Sequence, residues 1–272
     1  MLHFPISPVE MVASFWRNRS LIRTLATREV LGRYRGSGLG LLWSFLNPVL
    51  MLAVYTFVFG VIFNARWTLE SDSKAEFALV LFAGLIVFNL FGECLNRAPG
   101  LILANVNYVK KVVFPLEVLP WVALVAALFH CLASFVVWLL FYVCFLGMPS
   151  PSALLLPLVL VPLVLLTLGL SWGLASLGVY LRDISQIIGS LVTMLMFVSG
   201  IFYSVSSVPD KYQAAMRLNP LVSIIEQARD VLIWGRMPDF TQLSIFLGVS
   251  LCIAWLGFAW FQKSRRGFAD VL

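Results

Sequence analysis

The chain is predicted to be an all-α integral membrane protein with six transmembrane helices. An N-terminal interfacial amphipathic helix precedes them, and a re-entrant segment lies between spans five and six. Three observations predict this. Of 272 residues, 61% are hydrophobic and 12% are charged, against roughly 45–50% and 25% in an ordinary soluble domain. One soluble core cannot absorb that excess. No Asp, Glu, Lys or Arg occurs between Arg35 and Arg66, from Val118 to Leu181, from Ile184 to Pro209, or from Phe240 to Gln262. Crossing the hydrocarbon takes about 20 apolar residues at the rise of an α-helix, so each gap can span and the second can span twice. Lastly, Arg17, Arg19, Arg23, Arg28, Arg33 and Arg35 all precede the first gap. Lipid offers no partner to a free backbone group, so the spans are expected as helices.

Residues 1–38 form the interfacial region and residues 39–272 the transmembrane domain. The first twenty residues carry Pro5, Pro8, Glu10, Arg17 and Arg19 and no apolar run like a signal core, so insertion is expected through the first span. At helical spacing Leu21, Ile22 and Leu25 share one side, and Arg23, Thr24, Thr27 and Arg28 the other. That pattern predicts an apolar face in the acyl boundary and arginines at anionic headgroups. Gly32, Gly36, Ser37 and Gly38 then loosen the chain before it enters the membrane.

Span one is expected over 39–63, with Trp43 anchoring its cytoplasmic end and Pro48 kinking its first turns. A net acidic loop, 64–76, leads to span two at 77–95. Residues 96–115 hold Arg97, Asn105, Asn107, Lys110 and Lys111 and read as a cytoplasmic helix plus loop. Spans three (116–145) and four (153–180) form a hairpin around Gly147, Pro149 and Pro151, closed by Arg182 and Asp183. Span five is expected at 184–203 and span six at 240–261.

Between them, 204–239 is too structured for a loop. Asn219 and Pro220 form an N-cap followed by proline at the first helical position. Leu221, Ile224, Ala228 and Leu232 share one face, while Ser223, Glu226, Gln227 and Asp230 share the other. Short helices that dip back into the membrane and a helix lying flat on it both fit this pattern.

Orientation follows from counting Lys and Arg. With the N-terminus in the cytoplasm, thirteen of the nineteen fall inside, including Lys263, Arg265 and Arg266 after span six. Six spans return the C-terminus to the same side.

Nothing points to catalysis or a resident cofactor. No glycine is followed by lysine, so a P-loop is excluded. His3 and His130 stand alone, and Cys94, Cys131, Cys144 and Cys252 lack metal-ligand spacing. No nucleic acid is expected as a partner; the basic excess faces membrane lipid. Glu93 and Arg97, four residues apart near the inner end of span two, either pair structurally or line a cytoplasmic entrance. Tyr55, Phe59 and Phe63 fall on one face of span one, and Phe197, Phe202 and Tyr203 cluster at the outer end of span five. Such stripes serve packing or, through the C–H faces of pyranose rings, a sugar path. A membrane-embedded lipid-linked glycosyl- or acyltransferase would need more acids or histidines at a membrane face than Glu93. An ion-coupled carrier would show paired inverted repeats.

Five stretches in order carry a resemblance. Residues 28–37 and 39–48, REVLGRYRGS and LGLLWSFLNP, approach the first span. Residues 107–115, NYVKKVVFP, form the first cytoplasmic loop. Arg182-Asp183-Ile184, Ser199-Gly200 with Phe202-Tyr203, and Asn219-Pro220-Leu221 with Arg229 follow. Over nearly its whole length the chain resembles the ABC-2 type permeases that export lipopolysaccharide O-antigen, capsule or teichoic acid. Many of them have Ser-Pro where this chain has Ser199-Gly200, which implies a softer bend here.

The resemblance implies a homodimer bound to two cytoplasmic nucleotide-binding subunits that hold the ATP and Mg. It implies a lipid-linked polysaccharide as substrate and the bacterial inner membrane as location. Asn105, Asn107, Tyr108, Lys110 and Lys111 would form the coupling helix, with Arg182 and Asp183 as the second contact. Asn219, Pro220 and Arg229 would belong to the periplasmic gate, and the six aromatic residues would line the channel.

Overall fold

The computed structural model describes residues 5–63, 67, 74–110 and 114–272, and every element among them is helical. In order these are α1 (Pro8–Arg17), α2 (Arg19–Tyr34), α3 (Trp43–Tyr55), α4 (Lys74–Arg97), α5 (Val106–Lys110) and α6 (Val118–Leu146). Then come α7 (Leu156–Tyr180), α8 (Ile184–Val198), α9 (Asp210–Arg217), α10 (Pro220–Arg229), α11 (Phe240–Ser264) and α12 (Phe268–Val271). A 3₁₀ turn, Gly40–Leu42, leads into α3, and a π-helical stretch, Thr56–Ile62, continues it.

Five helical stretches are long and apolar enough to cross a bilayer: Gly40–Ile62, Lys74–Gly100, Val118–Leu146, Pro151–Tyr180 and Phe240–Val271. They match expected spans one to four within a few residues, and the last begins where span six was expected, with α11 itself ending three residues late at Ser264. Span five was expected over 184–203, but α8 stops at Val198 after 15 residues. At 1.5 Å per residue that is roughly 22 Å, short of the ~30 Å hydrocarbon. Ser199 and Gly200 end it, with Gly200 at φ 65, a left-handed conformation open to glycine without strain. The bend is therefore a full stop to the helix rather than a softened one.

α4 is the central helix, buried from Phe77 to Leu95 on nearly all sides and packed against α6, α7, α8 and α10. Two fully buried tryptophans tie the bundle together by indole N–H bonds. Trp138 of α6 donates to the Leu79 carbonyl of α4 (3.0 Å), and Trp172 of α7 donates to the Glu117 carbonyl ahead of α6 (3.0 Å). α2 buries Ile22, Ala26 and Val30 and exposes Arg23, Thr24, Thr27 and Arg28. Its apolar side rests on Val118 and Val122 of α6, so protein fills the place where an acyl boundary was expected.

α10 begins as predicted, with the Asn219 side chain accepting from the Leu221 amide (3.0 Å) and Pro220 in the first turn. Leu221, Ile224, Ala228 and Leu232 are buried as expected, but so are Ser223 and Gln227 on the supposed polar face. α10 packs against α4 and α7.

α7 and α11 approach most closely where glycine removes the side chain. A Cβ on Gly257 would fall 2.0 Å from the Gly169 carbonyl oxygen, and one on Gly169 would fall 2.6 Å from the Ala254 Cα. Helix association in lipid depends on such close packing. Gly257→Val is therefore expected to abolish monodisperse protein in detergent chromatography. Gly248→Val, where nothing lies within 4 Å of the added carbon, is expected to leave the profile unchanged.

Candidate functional site

The two aromatic groups, far apart in the chain, form one cluster. Phe202 is the junction: its ring stacks on Phe59 (5.5 Å, 21°) and on Phe197 (5.5 Å, 30°) and lies 6.4 Å from Tyr55. Tyr55, Phe59 and Phe63 continue in a row, at 6.3 and 5.8 Å between centroids. Phe77, which the sequence reading missed, joins through Phe59 at 6.1 Å and brings Trp67 with it at 5.8 Å. Tyr203 does not join. Its hydroxyl donates to the Phe197 carbonyl (2.8 Å), and its ring packs with Val205, Met216 and Val222.

Below the aromatic cluster the same helices turn polar. A cavity of about 480 Å³ lies among α2, α3, α4, α6 and α8, lined by Asn47, Asn89, Glu93, Asn96, His130 and Thr193. α3 and its π-helical continuation thus carry Asn47 at one level and Tyr55 and Phe59 two to three turns on. α4 runs the other way, from Phe77 to Asn89 and Asn96. On α8, Gln186, Ser190, Thr193 and Phe197 repeat at helical spacing and are all exposed, as are Asn47, Asn89 and Asn96.

At the cavity's edge Glu93 receives Arg33 (2.7 Å), His130 (3.0 Å to each oxygen) and, farther off, Arg97 (3.8 Å). Arg97 also pairs with Glu29 of α2. One expectation is corrected here: His130 is not alone. Glu93 and Arg97 do pair, and α2 adds Arg33 to Glu93 and Glu29 to Arg97. No local spacing signals this, since the partners come from three helices.

Arg229 is 3% exposed and has no carboxylate within ion-pair distance among the described residues. Its guanidinium donates to the Val80 carbonyl of α4 (3.1 Å) and to the Gly200 and Ile201 carbonyls (2.8 Å each), and lies 4.3 Å over the Trp67 ring. Gly84 makes room for it, since a Cβ there would sit 2.6 Å from Arg229 Nη2. Asn219 donates to the Ser199 hydroxyl (3.1 Å). Arg229 and Asn219 together fix the turn that positions Phe202.

At the opposite end, the α5 segment is buttressed by a stack of Tyr108 on Phe114 (4.4 Å, 12°). Arg265 donates to the Phe114 carbonyl (2.6 Å) and pairs with the buried Glu117 (2.6 Å), to which Ser14 of α1 also donates (3.1 Å). Asn105 donates to the Leu101 carbonyl (2.8 Å), and Lys110 donates to the Leu272 carbonyl. Asn107, Lys110, Arg182 and Asp183 are exposed. Gly178, near the end of α7, touches the Pro99 backbone. The 182–183 turn and α5 therefore leave the same end of the bundle. Lys111 lies outside the described residues. Among the described residues no group of His, Cys, Asp and Glu forms a metal cluster.

Residues 20–233 match the model of the ABC-2 type transporter family. The chain is 29% identical over 264 residues to the O-antigen export system permease protein RfbA of Myxococcus xanthus, covering 96% of this chain and 99% of that one. It is 25% identical over 253 residues to the RfbA of Klebsiella pneumoniae, covering 93% and 95%. With the polysialic acid transport protein KpsM of Escherichia coli it shares 26% identity over 242 residues, covering 85% and 91%.

Proposed function

The chain belongs to the ABC-2 type transporter family, and from that premise we propose that it is the transmembrane permease subunit of an exporter of a lipid-linked polysaccharide. O-antigen is the favoured substrate, because relatives matched over nearly their whole length carry that name. In this reading two copies pair in the bacterial inner membrane with both termini in the cytoplasm. Two cytoplasmic nucleotide-binding subunits bind ATP and Mg and supply the energy. α8 and the 199–203 turn together complete a sixth crossing, and 204–239 forms the outer gate.

One observation carries the reading: a polar-to-aromatic path shared by three helices. Asn47, Asn89, Asn96, Gln186, Ser190 and Thr193 lie exposed on apolar helices. An amide side chain facing hydrocarbon has no hydrogen-bond partner, at a cost of several kcal/mol. Such a face must meet water or protein, and a second copy laid against it would enclose an aqueous path. Sugar hydroxyls suit the amides at the inner level, and pyranose C–H faces suit Tyr55, Phe59 and Phe202 at the outer one.

The test is surface glycan in a strain lacking the native gene and complemented with variants. Phe59→Ala and Tyr55→Ala are expected to cut export by about ten-fold, equivalent to ~1.4 kcal/mol on the limiting barrier, at unchanged membrane levels of the protein. Normal surface glycan in both would reduce the aromatic row to packing.

A further inference from the structure

The 204–239 segment and the head of α11 enclose a polar cavity that neither the aromatic path nor the coupling contacts use. It measures about 540 Å³ and is lined by Arg217 at the end of α9, Ser223 and Glu226 of α10, and Asp239, Gln242 and Ile245 where α11 begins. Ser223 is 5% exposed, and its hydroxyl has no hydrogen-bond partner among the described residues. Gln227 donates to Gln242 in the cavity wall (3.1 Å), yet its own buried Oε1 also has no partner among them. Buried polar atoms are normally satisfied. Two orphans at one cavity mark a place that the hydrogen-bond donors of a ligand would complete.

The charges narrow the ligand. Arg217 is near enough to pull on the Glu226 carboxyl, but the two form no ion pair. Asp239 uses Oδ1 to cap α11, accepting from the Thr241 and Gln242 amides (2.9 and 3.0 Å), and its Oδ2 has no partner among the described residues. A bare cation would meet Arg217, and a bare anion would meet the two acids. A ligand carrying both charges suits all three. From the cavity Ile245, Val249 and Leu256 lie exposed along one face of α11, so an apolar track leads down the span.

We propose that this cavity binds the headgroup of a phospholipid with a free ammonium, phosphatidylethanolamine, whose acyl chains lie along α11. The ammonium donates to Glu226, Asp239 and the Ser223 hydroxyl, and the phosphate accepts from Arg217. The headgroup ties α9 and α10 to the head of α11, so lipid composition sets how firmly 204–239 is held to the last span. The site goes beyond the export reading and takes from it only that 204–239 lies at the outer face of the inner membrane.

The test is native mass spectrometry of the full chain in detergent. Phosphatidylethanolamine, phosphatidylcholine and phosphatidylglycerol of matched acyl chains are supplied at equal concentration. Phosphatidylcholine shares the phosphate, but its quaternary ammonium has no N–H to donate; phosphatidylglycerol has no cation. Wild type is expected to retain phosphatidylethanolamine about five-fold over phosphatidylcholine, the scale of a charge-assisted hydrogen bond at a part-exposed site, and phosphatidylglycerol least. Glu226→Gln should bring the first two level, because it removes a partner of the ammonium. Arg217→Gln should weaken both and leave their ratio unchanged, because the phosphate is common to them. A merely structural role for either residue would not produce this pattern. If Glu226→Gln does not purify, Asp239→Asn, which keeps the cap, is expected to lower the ratio about two-fold.

Equal retention of phosphatidylethanolamine and phosphatidylcholine by wild type would overturn the proposal, as would a preference that survives Glu226→Gln. A preference for phosphatidylglycerol, or loss of the retained lipid on adding calcium chloride, would assign the cavity to an anion or a metal ion and overturn it as well. Retention is read without transport. A chain that shows the expected pattern but exports no glycan would defeat the export reading alone.

Discussion

Replacing Arg229 with methionine is expected to prevent the chain from purifying as a folded protein, or to lower its melting midpoint more than any other single change outside the α7–α11 contact. The side chain is 3% exposed and donates to three carbonyls. The Gly200 and Ile201 carbonyls lie beyond the end of α8, where no helix supplies a donor. Hydrogen bonds from a charged donor contribute about 1.5–3 kcal/mol each, and a buried acceptor left without one costs ~1–3 kcal/mol. The loss is on the order of 4 kcal/mol, comparable with breaking a buried charge interaction. Burial also raises the pKa of nearby Glu226, against the pull of Arg229 and Arg217.

Arg229→Lys separates geometry from charge. An ammonium cannot reproduce the fork that serves the Gly200 and Ile201 carbonyls together, so an intermediate midpoint is expected. Gly84→Val should mimic Arg229→Met, because its added carbon occupies the place of Nη2. Fluorescence-detected melting in detergent reads all three. A wild-type midpoint for Arg229→Met would show that the turn holds without the clamp.

The division between what the sequence discloses and what it hides follows from how far each signal reaches along the chain. Span positions depend on charges a few turns apart, so α4, α6, α7 and α11 fall within a few residues of expectation. Caps are equally local, and Asn219-Pro220 opens α10 as read. The end of α8 was misplaced because hydropathy runs unbroken through Ile201 and Phe202, while the stop depends on a glycine conformation held by Arg229 from 29 residues away.

The sites divide the same way. Each aromatic row is visible at helical spacing, but that Phe59 and Phe202 stack follows only from how the continuation of α3 and the turn after α8 lie against α4. His130 gave no signal because its partners, Arg33 and Glu93, are 97 and 37 residues distant. The faces of α2 and α10 show the converse failure. Amphipathic spacing identifies which side is apolar and is silent on whether lipid or another helix covers it.

The second large effect is expected at α5. Lys110→Glu together with Lys111→Glu should stop export while leaving ATP hydrolysis by the partner subunit intact. α5 is only five residues long, too short to hold a helical shape alone. The Tyr108–Phe114 stack and the Arg265 bond to the Phe114 carbonyl fix it. It presents Asn107 and Lys110 outward, as a contact that transmits force requires. Cations there suit an acidic groove on the ATPase, and turning two of them into acids places like charges in contact, which costs several kcal/mol.

Lys110→Gln is the necessary companion, because it too loses the bond to the Leu272 carbonyl without reversing any charge. If docking charge is what matters, Lys110→Gln should retain most export and the double reversal almost none. If the Leu272 contact is what matters, the two should fail alike. Surface glycan in cells, set beside ATP turnover by the reconstituted complex, distinguishes these outcomes. Undiminished export by the double reversal would remove α5 from the coupling path altogether.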